Sequence, residues 1–196
     1  MQTVTVIIDA GHGIETPGKC SPNGLLREYA WARDCARELN LWLKNTPGFS
    51  PVLLQKDEKD VPLPVRVKQI NKLARSSVNS LLVSLHCNAY GNGKEWTAPR
   101  GWSIWTSSGT TKSDRIATYI WNEAYKKWGH ARKDKSDGDP DYESDFYILK
   151  NTICPAVLIE NFFMTNKEDY DYLISPLSIY DCAEVVVRGL KSFYDV

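Results

Sequence analysis

Thr3-Val4-Thr5-Val6-Ile7-Ile8-Asp9 and Asn79-Ser80-Leu81-Leu82-Val83-Ser84-Leu85 decide the fold of this chain. Both are short, mostly apolar runs rather than clean apolar–polar alternations. A strand with helices on both faces reads this way, whereas a half-exposed strand alternates. Helical spacing surrounds them. Residues 26–45 carry Ala32, Cys35, Ala36, Leu39 and Leu43 on one face, and Asn45-Thr46-Pro47-Gly48 ends that helix. Residues 63–75 carry Val67, Ile70, Leu73 and Ala74, and residues 113–128 carry Ile116, Ala117, Ile120, Trp121, Ala124 and Trp128. Ser175 stands at the N-cap and Pro176 at the first position of a last helix, with Ile179, Cys182, Ala183, Val186, Leu190 and Phe193 as its apolar stripe. Further strands are expected at 50–54, 101–106, 146–149 and 155–160. Strands alternating with helices predict an α/β fold with a largely parallel sheet.

The chain has 196 residues, enough for one well-buried core and short for two catalytic domains. Lys and Arg number 24 and so do Asp and Glu, giving a formal net charge of zero. Nonspecific capture of nucleic acid normally needs a basic surplus, so no nucleic-acid partner is expected. No apolar run approaches the ~18 residues of a membrane helix, so no stable membrane association is expected. Met1 leads into the first strand without a basic start or a small-residue cleavage site, which predicts a chain that stays in the cytoplasm that makes it. Cys20, Cys35, Cys87, Cys154 and Cys182 are odd in number, scattered and without a C-x-x-C pair, and are expected as reduced thiols. Gly129 to Ser144 is polar and long for a connection, and holds the third histidine, His130, expected as a solvated loop residue.

Sites on parallel α/β sheets gather beyond the carboxyl ends of the strands. Asp9-Ala10-Gly11-His12-Gly13 follows the first strand, His86-Cys87-Asn88-Ala89 follows the second, and the 155–160 strand ends in Glu160-Asn161. Glu28 opens the first long helix, which runs back from the same edge. A single histidine at a strand end is commonly a hydrogen-bonded structural residue, and Asp9 and Glu160 read equally as ordinary strand-end carboxylates. The convergence of several such groups on one edge is what points to chemistry. Two imidazoles and one carboxylate form a ligand set for catalytic zinc, with a position left for water. Glu160 is the candidate for the uncoordinated carboxylate that moves a proton from that water to a leaving amine. Glu15 competes with Glu28 for the metal, because His12 and Glu15 form an H-x-x-E pair. Cys87 is excluded from His86's metal, since neighbours on an extended strand point to opposite faces.

These residues resemble the motifs of the zinc-dependent N-acetylmuramoyl-L-alanine amidases of the Amidase_3 type, which include cell-wall amidases and phage endolysins. Ile7-Ile8-Asp9-Ala10-Gly11-His12-Gly13 resembles the opening metal-binding motif, and Gly24-Leu25-Leu26-Arg27-Glu28 the segment that gives the ligand glutamate. Leu63 to Asn71 resembles the helix ending in asparagine, and Ser84-Leu85-His86-Cys87-Asn88-Ala89 the second histidine motif. Pro155 to Asn166, containing Ile159-Glu160-Asn161-Phe162-Phe163, resembles the catalytic-glutamate motif. The family's commoner pattern has glycine two residues after the glutamate, where this chain has Phe162, so a reshaped pocket wall is expected there.

The resemblance implies one catalytic domain over residues 1–196, a three-layer αβα sandwich on a mixed, mainly parallel sheet of about six strands. It implies one Zn2+ on His12, Glu28 and His86, with Glu160 as general base and acid, and it favours Glu28 over Glu15. The implied reaction is hydrolysis of the amide between N-acetylmuramic acid and L-alanine in peptidoglycan, by a monomer that reaches the wall as an endolysin does; a secreted enzyme whose leader has been removed is the alternative. Two other functions compete: a zinc carboxypeptidase using His12, Glu15 and His86, and a wall-binding module without activity. The motifs assign no substrate-binding residue.

Overall fold

The computed structural model describes residues 3–196; Met1 and Gln2, on which the reading of the amino terminus partly rests, lie outside them. The two deciding stretches form strands β1 (Val4–Ala10) and β3 (Ser80–Asn88), side by side and parallel, with Thr5 opposite Ser80 and Ala10 opposite Leu85. The remaining strands are β2 (Phe49–Leu53), β4 (Ser103–Thr106), β5 (Tyr142–Glu143) and β6 (Ala156–Phe163). They complete a six-stranded sheet in the order β2-β1-β3-β6-β4-β5. Only the β4–β6 pairing is antiparallel. The mixed, mainly parallel sheet expected from the motifs is therefore present.

Helices cover both faces. On one lie α1 (Glu28–Lys44), α3 (Lys112–Trp128), α5 (Lys167–Leu173) and α6 (Pro176–Tyr194), whose buried stripes pack with Val6, Ile8, Leu81, Val83 and Ile159. On the other, α2 (Leu63–Arg75) and the single-turn α4 (Tyr147–Lys150) pack with Ile7, Leu82 and Leu158. Successive residues of β1 and β3 thus enter opposite cores, which is why both strands read as continuous apolar runs. Where α3 and α6 meet, a Cβ on Gly189 would overlap the Ile120 backbone, so glycine sets their approach. Among the described residues, no helix is long and apolar enough to cross a membrane. All five cysteines are free thiols, four of them buried.

Three elements differ from expectation. The segment 146–149 is the start of a helical turn, not a strand. Ile148 and Leu149 are adjacent yet both buried in the same core, and Phe146 O accepts from the N–H groups of Leu149 and Lys150, which closes a helical turn. Residues 129–144 contain β5, which adds a parallel edge strand to β4. Helix α5 was not anticipated; Asn166 caps it by accepting from the N–H groups of Glu168 and Asp169, each at 3.1 Å. Ser175 does precede α6, but its hydroxyl donates to Tyr172 O at 2.7 Å rather than capping the helix.

Phe162 also departs from expectation. His86 pairs with Glu160 and Asn88 with Phe163, so β6 carries one residue more than β3 over this interval, a β-bulge. Phe162 sits in it at φ 62°, the left-handed region that favours glycine. The bulge turns its ring away from the cleft into the helical core, 5.1 Å from Trp128 and 4.9 Å from Tyr172 between ring centroids. Phe162 therefore does not shape the pocket wall. Left-handed backbone costs a bulky residue roughly 1–2 kcal/mol, and the buried ring, worth about 3–5 kcal/mol on truncation, outweighs it. Phe162→Gly is expected to be destabilised less than Phe162→Ala, by about 1 kcal/mol, because only glycine releases the strain. Urea unfolding midpoints measure this; alanine as the more stable of the two would refute it.

Candidate metal centre

His12, Glu28 and His86 come together at the carboxyl ends of β1 and β3, with one ligand atom of each within 4.8 Å of the others. His86 Nδ1 lies 3.0 Å from Glu28 Oε1, and His12 Nε2 lies 3.4 Å from Glu28 Oε2. The two imidazoles stand edge to face, with ring centroids 5.2 Å apart. Glu15 is not part of this group: its carboxylate is exposed and accepts from the Asp60 backbone N–H at 3.0 Å. Cys87 turns into the helical core, as strand alternation requires. His130 is exposed, with its ring against Trp128 O, and does not join the centre.

Each of the three residues has its own support. Glu28 is the first residue of α1, where the helix dipole favours an anion. Its N–H donates to Lys19 O at 3.0 Å, and its Oε1 accepts from the Cys87 N–H at 3.2 Å. Burial works against its charge, but hydrogen bonds from both histidines overcome it and hold the carboxyl down to about 2. Burial likewise opposes the charge on His86, and the Glu28 carboxylate outweighs it, raising the imidazole. The three groups thus form a carboxylate with two hydrogen-bonded imidazoles before any cation is considered.

His12 sits at φ 59° on the loop leaving β1. Two buried guanidiniums hold that loop. Arg33 of α1 donates to Ala10 O and His12 O, both at 2.7 Å. Arg66 of α2 donates to Ala10 O at 3.1 Å and pairs with Asp9 at 3.2 Å and Asp60 at 2.8 Å. Asp9 is fully buried and also accepts from Gln55 and from Ser84 Oγ. It organises the loop rather than joining the ligands. Gly11 faces the His86 ring so closely that any Cβ would overlap the imidazole. Glycine is needed here for space.

Glu160 lies beside His86 across the β3–β6 pairing, on the same sheet face. Its Oε2 is buried without a hydrogen-bond partner. Burial pushes the carboxyl up to about 7; Glu28 adds to the rise, while His86 and Lys19 oppose it. Next to it, Asn161 ties the strands together, donating to His86 O at 3.0 Å and accepting from the Trp102 indole at 3.1 Å.

A cavity of about 380 Å³ opens over this edge, reached by His12, His86, Glu160, Arg66 and Lys19. Its far wall is apolar and comes from Val61, Pro62 and Leu63 before and in α2 and from Phe146, Tyr147 and Ile148 around α4. Asn71 secures that wall, donating to Asn151 O at 2.9 Å and accepting from the Ile153 N–H at 3.0 Å. Arg33, Arg66, Lys19 and the α4 wall are the parts that sequence reasoning did not assign. For the arginines the signal was present, since each sits on the buried side of an amphipathic helix.

A family model described as N-acetylmuramoyl-L-alanine amidase matches residues 6–192. The chain is 28% identical over 192 residues to the N-acetylmuramoyl-L-alanine amidase LytC of Bacillus subtilis (strain 168), covering 97% of this chain and 35% of that protein. It is 28% identical over 197 residues to the endolysin of Bacillus phage SPP1, covering 97% of this chain and 66% of that one. The chain thus spans about a third and about two thirds of these relatives. Its backbone is similar to the crystal structure of an N-acetylmuramoyl-L-alanine amidase from Clostridium difficile 630, with a TM-score of 0.86, 26% identity, and coverage of 100% of this chain and 98% of that one.

Proposed function

The chain belongs to the N-acetylmuramoyl-L-alanine amidase family, and from that premise we propose that it hydrolyses the amide joining N-acetylmuramic acid to L-alanine in bacterial peptidoglycan. One observation carries the reading most of the way: Glu160, with an unpartnered buried oxygen, faces the same cavity as His12 and His86. A carboxylate left without a partner beside a histidine–carboxylate group is suited to taking and returning a proton.

The donor set fits zinc. Two imidazole nitrogens and a carboxylate oxygen, with backbone support behind the carboxylate, are the ligands of a catalytic site that keeps one position open. When bound by His12, Glu28 and His86, zinc supplies Lewis-acid polarisation and eases deprotonation of water at neutral pH. The chain's own residues do the rest. Glu160 accepts a proton from the attacking water as its oxygen adds to the lactyl carbonyl carbon. The same carboxyl then donates that proton to the alanine nitrogen as the carbon–nitrogen bond breaks, leaving a lactyl carboxylic acid whose remaining proton, the second from the water, passes to the freed amine, so that the products are a carboxylate and an ammonium. Arg33 and Arg66 keep the His12 loop in place through these steps.

The carboxypeptidase reading is weaker, because Glu15 is directed at the Asp60 amide instead of the histidines. The reading of a wall-binding module without activity is weaker because the full ligand set and the free Glu160 carboxylate are retained. A digest of defined muropeptides, read by mass spectrometry, tests bond and metal together. The expected products are the intact stem peptide with a free alanine amine and the peptide-free muramoyl sugar. A chelator is expected to stop their formation and added Zn2+ to restore it. Release of a single carboxyl-terminal residue, or turnover unchanged by the chelator, would overturn the proposal.

A further inference from the structure

We infer that Lys19 is a specificity residue of this site, a cation that takes a free carboxylate on the peptide side of the substrate. The inference deepens the amidase reading and rests on it.

Five other acidic or basic side chains line the cavity, His12, His86, Arg66, Asp60 and Glu160, and each has a partner or a proposed role. His12 and His86 are turned to Glu28. Arg66 is spent on Asp9, Asp60 and backbone carbonyls. Glu160 is the proton carrier. Lys19 also lines the cavity, is exposed, and its ammonium makes no ion pair or hydrogen bond among the described residues. It is the cavity's unpaired cation. Lys19 and Glu160 line the same cavity.

Its backbone is fixed. Lys19 O accepts the N–H of Glu28, and the next residue, Cys20, pairs with Arg27 in an isolated antiparallel bridge. The backbone that carries Lys19 is therefore tied directly to Glu28, while the ammonium is free to meet a ligand. Much of the remaining lining is aliphatic, from Val61, Pro62, Leu63 and Ile148, whose side chains offer a carboxylate no donor. A substrate lying across the cavity is consequently sorted by charge: apolar groups to the wall, an anionic group to Lys19.

In the proposed reaction the muramoyl side of the scissile amide is an uncharged N-acetylated sugar ether. The nearest group able to carry a negative charge is the carboxyl of the stem residue that follows L-alanine. A stem with that carboxylate free should be preferred over the same stem with a carboxamide there. An ammonium-to-carboxylate contact in a partly enclosed cleft accounts for a preference of about ten-fold in kcat/KM.

The test compares a muramoyl tripeptide bearing the free carboxylate with its carboxamide twin, using the zinc-loaded wild type, Lys19→Gln and Lys19→Arg. Wild type is expected to prefer the acid substrate about ten-fold, chiefly through KM. Lys19→Gln is expected to bring the ratio near one, and Lys19→Arg to keep most of it. Calorimetric binding of the released acid peptide to the same three proteins gives a second readout that needs no turnover, with weakened binding expected in Lys19→Gln alone. A ratio that is the same in wild type and Lys19→Gln, with peptide binding unchanged, overturns the inference while leaving the amidase reading intact. A Lys19→Gln variant whose pH profile shifts equally for both substrates, with its preference kept, also overturns it and makes Lys19 a modulator of Glu160. Peptide binding that depends on Lys19, with no cleavage of either substrate by the wild type, supports the carboxylate site and refutes the amidase reading instead.

Discussion

Glu160→Gln is expected to lower hydrolysis of the muramoyl–alanine amide by about 10²–10⁴-fold while the protein still binds one equivalent of zinc. The substitution keeps the side chain's shape while removing its charge and its ability to carry a proton. Glu160 is not among the three converging candidate ligands, and its unpartnered Oε2 shows that no fold-stabilising hydrogen bond depends on that oxygen. Stability should therefore hold, and a buried carboxyl pushed up to about 7 becomes a neutral amide at little cost. The sign of the pH dependence follows from the role. A general base works when deprotonated, so wild-type activity should fall as pH drops through the Glu160 pKa. A cation on His12, Glu28 and His86 favours the carboxylate, so that fall belongs below pH 7 rather than above it. Zinc content by atomic spectroscopy, together with stem-peptide release by mass spectrometry, decides the matter. A Glu160→Gln protein that turns over like the wild type would remove Glu160 from the reaction, and one that lost its zinc would make Glu160 a ligand.

The second large effect concerns the metal. Glu28→Ala is expected to weaken zinc binding by more than about 100-fold, beyond the 10–100-fold that loss of an outer partner usually costs, whereas Glu15→Ala is expected to retain it. Glu28 is buried and touches both histidines, and it accepts the Cys87 amide as well. Its removal leaves two imidazoles without their shared anion. Glu15, on the surface, holds only the Asp60 amide. Both carboxylates lie within reach of His12 in the sequence, so the pair of variants separates the two ligand sets directly. Competition with a chromogenic zinc chelator reads the affinities. Zinc lost from Glu15→Ala and kept by Glu28→Ala would restore the carboxypeptidase arrangement.

The deciding strands were legible because a stretch buried on both faces leaves an unbroken apolar signature. The positions of His12, His86 and Glu160 were legible for a related reason: a parallel sheet sends its strand ends to one edge. Choosing Glu28 over Glu15 was not possible from spacing, since it depends on α1 folding back over that edge. The 146–149 segment misled because four apolar residues fit a strand or a helical turn equally, and only its packing against α2 selects the turn. Helix α5 carried a readable start in Asn166 followed by Glu168 and Asp169, but at seven residues it has too few turns to show a period. Phe162 could be recognised as standing in a glycine's place. Its direction could not, because a one-residue bulge reverses the face on which every later side chain of a strand falls. Lys19 carried no local signal, since an exposed lysine in a loop acquires meaning only from the cavity it borders.

The two guanidiniums on the His12 loop come from opposite layers of the sandwich, Arg33 from α1 and Arg66 from α2, and both grip the Ala10 carbonyl. The loop is thus riveted through the sheet's edge to both outer layers. A slip of either layer would therefore reach His12, a proposed metal ligand, through a guanidinium. Packing integrity and metal affinity are then two readings of one mechanical state. Loosening α1 or α2 is then expected to weaken zinc at the proposed site, so that metal content would report on how well both layers are seated.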